Sequence, residues 1–213
     1  MIEAVDNMVQ TVALAGCIGI AGFRLAAHKS RLWMLLMLFY ISMFLGDLYW
    51  ALSLLLLHRP PLFDYVSEIS WFSAYLFLYL LIRETLDLEN EKVKSPVLWA
   101  GPVFAACMAV FYIQWGSVLS NITYAIAMGL IFYYTSSGLF LLKDASTRQC
   151  RRKILFLAVN TFCLIEYLLW TSSCIWSGDT LANPYYWIDF VQSVCLVFLL
   201  RATNEAVKEV SDE

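Results

Sequence analysis

Four carboxylates interrupt apolar stretches of the chain, where a charge needs a physical reason. These acids are Asp47, Glu68, Glu166 and Asp189. A charged side chain at the middle of a bilayer costs about 2.5 kcal/mol or more, so such residues face a bundle interior or a wet cavity and mark function. We therefore expect these acids to contribute to a binding site.

Aromatic and amide side chains follow the acids at helical spacing, which puts residues three or four positions apart on one helix face. They are Trp50 after Asp47, Trp71 and Tyr75 after Glu68, Trp170 after Glu166, and Gln192 after Asp189. A carboxylate beside an aromatic ring attracts a cation through its charge and through the ring quadrupole. The sequence thus predicts that these residues line an outward-opening pocket for a small cationic or polar solute.

A simpler interpretation competes for part of this set. Asp47 and Glu166 lie about ten residues inside their apolar segments, or about 15 Å at 1.5 Å per residue, and suit either ligand binding or a hydrogen bond between helices. Glu68 and Asp189 lie only about five residues inside, where solvation alone could explain them. Tryptophan also concentrates at membrane interfaces. The tryptophans assigned to an interface are Trp115, Trp176 and Trp187.

The elements that position these residues are transmembrane helices. The 213 residues are 61% hydrophobic and 15% charged, against about 45–50% and about 25% in soluble domains. A bilayer leaves backbone groups no partners outside helices and closed barrels, and these apolar runs are too long for barrel strands. The sequence predicts an all-α membrane protein with seven spans: Met8–Ala27, Leu32–Leu57, Phe63–Ile82, Val97–Trp115, Val118–Leu142, Ile154–Trp176 and Tyr185–Leu200.

The basic residues predict the orientation of these spans. Of the 14 lysines and arginines, all but Arg59 fall in the odd-numbered loops and the C-terminal tail. Lysine and arginine favour the cytoplasmic side. We therefore expect the N-terminus outside and the C-terminus in the cytosol, in a multi-pass protein that we assign to the plasma membrane.

Spans one to three and five to seven look like two copies of one unit. Sliding the chain by 118 or 119 positions places Asp47 on Glu166 and Arg83 on Arg201. The predicted division is residues 1–95, a linker helix over residues 96–116, and residues 117–213. In topology the arrangement resembles the seven-helix SWEET and PnuC transporters, whose parallel repeats imply a site between the halves, and also the microbial rhodopsins. The seventh predicted span lacks the lysine that a retinal Schiff base needs.

Small residues on the first predicted span suggest close helix packing. Gly16, Gly19 and Gly22 recur at three-residue intervals. Small side chains let a neighbouring membrane helix approach closely. The sequence therefore predicts a helix contact on this face.

Enzyme and nucleic-acid functions find little support in the residues. His28 and His58 lie at opposite membrane edges, and the chain carries none of the common hydrolase, metalloprotease or phosphate-loop motifs. The formal net charge of −3 gives no general attraction for nucleic acid. The cysteines occur singly, without a metal-binding pair. We expect a protein that is not an enzyme and uses no cofactor or metal.

Two functions remain open. The first is a small transporter whose three-helix halves rock about the acidic, aromatic pocket. The second is a membrane sensor that binds a small molecule and passes a signal through its C-terminal helix, Arg201–Glu213. The basic segment Lys143–Lys153 or this tail could contact a cytosolic partner, although attraction to anionic lipid also explains the basic segment.

Overall fold

The computed structural model describes residues 2–63, 65–86, 95–142 and 150–211, and the regular elements within these ranges are all helical. This confirms the all-α prediction. A π-helical turn, Ser53–Leu57, extends the second helix, and a 3-10 turn, Pro96–Trp99, leads into the fourth. The helices are α1 (Ile2–His28), α2 (Arg31–Leu52), α3 (Tyr65–Thr85), α4 (Ala100–Tyr112), α5 (Val118–Leu141), α6 (Cys150–Ile175) and α7 (Pro184–Ser211).

Six of these helices are long and apolar enough to cross a membrane, which makes the chain an integral multi-pass membrane protein. They are α1, α2 with its π-helical turn, α3, α5, α6 and α7. The fourth predicted span is shorter: Pro96–Tyr112 rises about 27 Å, against a hydrocarbon core of about 30 Å. The seventh crossing, the orientation and the three-part division stay predictions.

Polar caps and left-handed residues set the helix boundaries at the short connections. The Ser30 hydroxyl accepts a hydrogen bond from the Leu32 amide at 3.3 Å and starts α2. Lys29 directly before it has φ of 47°, which turns the chain between α1 and α2. At α7 the Asn183 side chain accepts from the Tyr185 amide at 3.0 Å, and Pro184 fills the first helical position. These are ordinary capping solutions for helix ends that lack internal partners.

The long helices pack in a ring in the order α1, α2, α3, α5, α6, α7 and back to α1. Helix α4 lies outside this ring, chiefly against α5. The approach is close, because a Cβ atom on Gly101 would overlap the side chain of Phe132. The Tyr112 hydroxyl at the end of α4 reaches α6, where it donates to the Tyr167 carbonyl at 3.0 Å. A site between the two predicted units would therefore lie inside this ring of six helices.

Helices that are consecutive in the chain run in opposite directions, which defines two ends of the bundle. We call the end that holds the starts of α1, α3, α5 and α7 the N-terminal end. At the opposite end, Arg31 on α2 pairs with Glu84 on α3 at 3.6 Å, and Arg151 on α6 pairs with Glu205 on α7 at 3.9 Å. The equivalent helices of the two predicted units thus carry the same kind of ion pair. Most of the predicted partner segment Lys143–Lys153 lies outside the described residues.

A buried layer seals the bundle toward the opposite end. The Tyr40 hydroxyl on α2 donates to the Leu196 carbonyl on α7 at 2.6 Å, which directly joins these two helices. Phe39 meets Phe162 of α6 edge-on, with ring centroids 5.6 Å apart. All these side chains are buried. The interior above this layer, toward the N-terminal end, is where polar residues collect.

The small-residue face of α1 does not make the predicted close contact along its length. A Cβ added to Gly16 or Gly19 would meet nothing within 4 Å. Only Gly22 has a neighbour, the Met37 sulfur, which would lie 3.6 Å from such a Cβ. The prediction was wrong for Gly16 and Gly19 because α1 turns Leu14, Cys17 and Ala21 inward instead.

Candidate binding cavity

A cavity of about 390 Å³ opens into the N-terminal half of the helix ring. Ligand pockets commonly fall between about 300 and 1,000 Å³. All but one of the residues predicted to bind a solute line it: Asp47, Trp50, Trp71, Tyr75, Glu166, Trp170, Asp189 and Gln192. The structure therefore brings together residues from α2, α3, α6 and α7 that are far apart in the chain.

Glu68 is the predicted site residue that lies elsewhere. Its Oε2 atom accepts a hydrogen bond from the Ser120 hydroxyl at 2.9 Å, between α3 and α5, and it is not among the cavity-lining residues. The physical reason is that Glu68 finds a hydrogen-bond donor on α5, which holds its carboxylate away from the cavity. We assign Glu68 a structural hydrogen bond.

Asp47 on α2 is fixed by an indole from α3. The Trp71 Nε1 donates to the Asp47 Oδ1 at 2.8 Å. Asp47 is only 4% exposed, and its other oxygen, Oδ2, is buried without a hydrogen-bond partner among the described residues. A buried acceptor without a partner costs about 1–3 kcal/mol, and more when it is charged. The Asp47 carboxylate therefore has unused hydrogen-bonding capacity at the cavity.

Glu166 on α6 is held in a similar way by an amide from α7. The Gln192 Nε2 donates to the Glu166 Oε1 at 2.5 Å. Tyr75 on α3 lines the same cavity as this carboxylate. Gln192 is 1% exposed, and its Oε1 has no partner among the described residues. In both predicted units, a nitrogen donor on the third helix thus holds a carboxylate on the middle helix.

Acidic side chains also surround the cavity where α1 meets α7. Asp189 is buried, and the acidic side chain of Asp6 on α1 lies close enough to interact with it electrostatically. Glu3 on α1 accepts from the Trp50 Nε1 at 3.4 Å, which links α1 to α2 on the other side.

Aromatic rings form the walls between the acids. Trp50 and Trp71 lie with ring centroids 6.1 Å apart at an interplanar angle of 36°. Across the cavity Trp170 stacks on Tyr124 of α5, with centroids 4.1 Å apart and rings inclined by 12°. A stacked ring that is held in place presents a fixed face, and such faces attract cations.

The cavity is electrostatically one-sided. The described residues that line it include Glu3, Asp47, Glu166 and Asp189, and no lysine, arginine or histidine is among them. Several acids without a basic counterpart create a negative potential, which low-dielectric walls strengthen. The arrangement therefore favours a positively charged occupant.

Sequence reasoning missed the contribution of α1. Glu3, Asn7 and Gln10 all line the cavity. Their spacing of four and then three positions is the signature of one helix face, so the sequence does contain a signal for them. Trp176, predicted to be interfacial, also lines the cavity, whereas Trp115 and Trp187 do not. The position of Trp176 at the end of α6 gave no sequence signal that distinguishes the two environments.

Comparison with protein-family models, with curated proteins and with solved structures finds no match for this chain. Its function must therefore be inferred from the geometry of the cavity.

Proposed function

We propose that this protein is a small multi-pass transporter that binds a cationic or polar solute in the cavity between its two three-helix units, and that it resides in the plasma membrane with its N-terminal end outside. The observation that carries the proposal is the membrane-buried cavity with acids from both units and aromatic walls. Charged residues within spans are expensive and mark solute or ion pathways.

The packing of the helices supports movement of one unit against the other. Helices α1 to α3 pack in sequence, as do α5 to α7, and the units meet where α1 contacts α7 and where α3 contacts α5. This is the pattern expected of two repeats about an axis along the membrane normal, which is one route to alternating access. The Tyr40–Leu196 hydrogen bond crosses between the units below the cavity. We assign this hydrogen bond to an inner gate, which is closed while the cavity is open toward the outside.

Uptake into proteoliposomes tests the proposal. Putrescine is a suitable test solute, because its positive charges at neutral pH slow passive diffusion across lipid. We expect saturable uptake by the purified protein, and its loss when Asp47→Asn and Glu166→Gln are combined. Glu68→Gln is the matched control, because Glu68 is also an intramembrane acid but lies outside the cavity. Saturable binding of putrescine without any uptake would contradict transport.

One observation favours the second function, a membrane sensor. Helix α7 has 28 residues, or about 42 Å at 1.5 Å per residue, against about 30 Å of hydrocarbon. Its last turns therefore extend beyond the bilayer if its start lies at the opposite interface. A ligand held by Asp189 and Gln192 on this helix could shift that extension. Binding without uptake, together with a ligand-dependent change in cross-linking of the α7 end, would favour the sensor.

A further inference from the structure

We propose that the cavity selects organic ammonium ions that carry N–H groups, by hydrogen bonds to Asp47 Oδ2 and Gln192 Oε1. This inference deepens the proposed function and rests on the same cavity. It is narrower than a preference for positive charge, because quaternary ammonium ions and alkali cations have the charge without the N–H donors.

Both atoms are acceptors that the protein leaves unused. Asp47 and Gln192 are 4% and 1% exposed, line the cavity, and have no described partner for these oxygens. Their other polar atoms are engaged, with Trp71 and with Glu166. An ionised Glu166 requires the amide nitrogen of Gln192, so the carbonyl oxygen of that amide is the atom left over. Buried polar atoms are normally paired. Both oxygens have almost no accessible surface, so a solute would reach them through a small shift of the lining side chains and would then pair them.

The number of N–H groups that the ligand needs follows from the number of free acceptor atoms in the site. Two free acceptors call for a solute with at least two N–H groups, which primary ammonium, amidinium and guanidinium ions provide. Trp50, Trp71 and Trp170 surround the same space and can contact the carbon skeleton or the cationic head. A quaternary ammonium ion would satisfy the rings and leave both acceptors unpaired.

The acceptors also belong to different units. Asp47 lies on α2 and Gln192 on α7. An ammonium ion bound to both would bridge the predicted halves directly. The same interaction that selects the ligand would thus couple its binding to the relative position of the two units.

Two nearly isosteric cations test this inference. tert-Butylammonium and tetramethylammonium have the same number of non-hydrogen atoms and the same charge, and only the first has N–H groups. Their affinities for the purified protein, and that of K⁺, would be measured by calorimetric titration in detergent. We expect tert-butylammonium to bind about tenfold more tightly or better, since each regained hydrogen bond is worth about 1 kcal/mol or more.

The variants locate the effect. Asp47→Asn puts an amide donor in place of the free acceptor, so we expect it to abolish the preference for tert-butylammonium; Gln192→Met should reduce the preference. Glu68→Gln should leave both affinities unchanged, and thermal unfolding of each variant reports its folding. Three results with the unmodified protein would overturn the inference, even if a variant fails to fold. These are equal affinities for the two isomers, tighter binding of tetramethylammonium or K⁺, and no binding of tert-butylammonium. If tert-butylammonium binds more tightly than tetramethylammonium but putrescine is not taken up, only the transport proposal is contradicted.

Discussion

Replacement of Gly46 by alanine should disturb the cavity without changing any charged group. Gly46 lies on α2 directly before Asp47, and a Cβ atom at this position would be 2.6 Å from the Trp71 Nε1. Ordinary van der Waals contact begins at 3.4 Å, so the indole must move by about 0.8 Å (3.4 minus 2.6). The bond from Trp71 Nε1 to Asp47 Oδ1 is now 2.8 Å. A shift of that size directed away from α2 would break it.

The expected cost follows from that hydrogen bond. A bond to a charged group contributes about 1.5–3 kcal/mol, and alanine regains up to about 1 kcal/mol of helix propensity over glycine. We therefore expect Gly46→Ala to lower the free energy of unfolding by about 0.5–2 kcal/mol and to weaken ammonium binding several-fold, because Asp47 and the Trp71 wall lose their positions. Denaturant unfolding and calorimetric titration of the purified protein measure the two effects.

Gly16→Ala and Gly19→Ala are matched controls on α1. A Cβ at either position meets nothing within 4 Å. These variants should keep wild-type affinity and unfold with unchanged or slightly higher stability, by up to about 1 kcal/mol. If Gly46→Ala behaved like these controls, the Trp71–Asp47 contact would not organise the cavity, and the reasoning would be refuted.

Three other substitutions test separate parts of the structure. Tyr40→Phe removes the hydrogen bond to the Leu196 carbonyl; we expect a loss of about 1 kcal/mol in unfolding free energy and faster labelling of a cysteine introduced at the cavity residue Ser173 by a thiol reagent added from the opposite end, and unaltered labelling would contradict the gate. Asp6→Asn removes one of two neighbouring acidic groups, so the free energy of unfolding should stay unchanged or rise, and a loss of more than about 1 kcal/mol in denaturant unfolding would argue against repulsion between Asp6 and Asp189. Glu68→Gln should preserve ammonium affinity, and a large loss would return Glu68 to the site.

The helical structure and most of the acids that line the cavity could be predicted from the sequence, because the physical causes act locally. Long apolar runs must hydrogen-bond their own backbones in lipid, which predicts the helices. An intramembrane acid must face the interior, which predicts Asp47, Glu166 and Asp189 as cavity residues. Glu68 failed this reasoning because a serine on α5 gives it an interior partner that the chain order does not reveal.

The hydrogen-bond partners could not be predicted in this way. Trp71 stands three positions after Glu68, and this spacing groups the two residues, yet the Trp71 indole binds Asp47 on the preceding helix. The same spacing groups Gln192 with Asp189, but Gln192 holds Glu166. Spacing within one helix identifies which residues share a face. It does not say which neighbouring helix that face meets, because this depends on helix rotation and packing order.

The amino-acid sequence by itself determined that this chain is helical, that it lies in a membrane, and that Asp47, Glu166 and Asp189 turn inward, since each of these follows from the local cost of exposing a polar or apolar group. Only the tertiary structure decided that α4 lies outside the ring, that α1 adds Glu3, Asn7 and Gln10 to the cavity, and that Asp47 Oδ2 and Gln192 Oε1 have no hydrogen-bond partner in the described part of the chain. These features depend on how separate helices meet, and that choice is made by packing over the whole bundle.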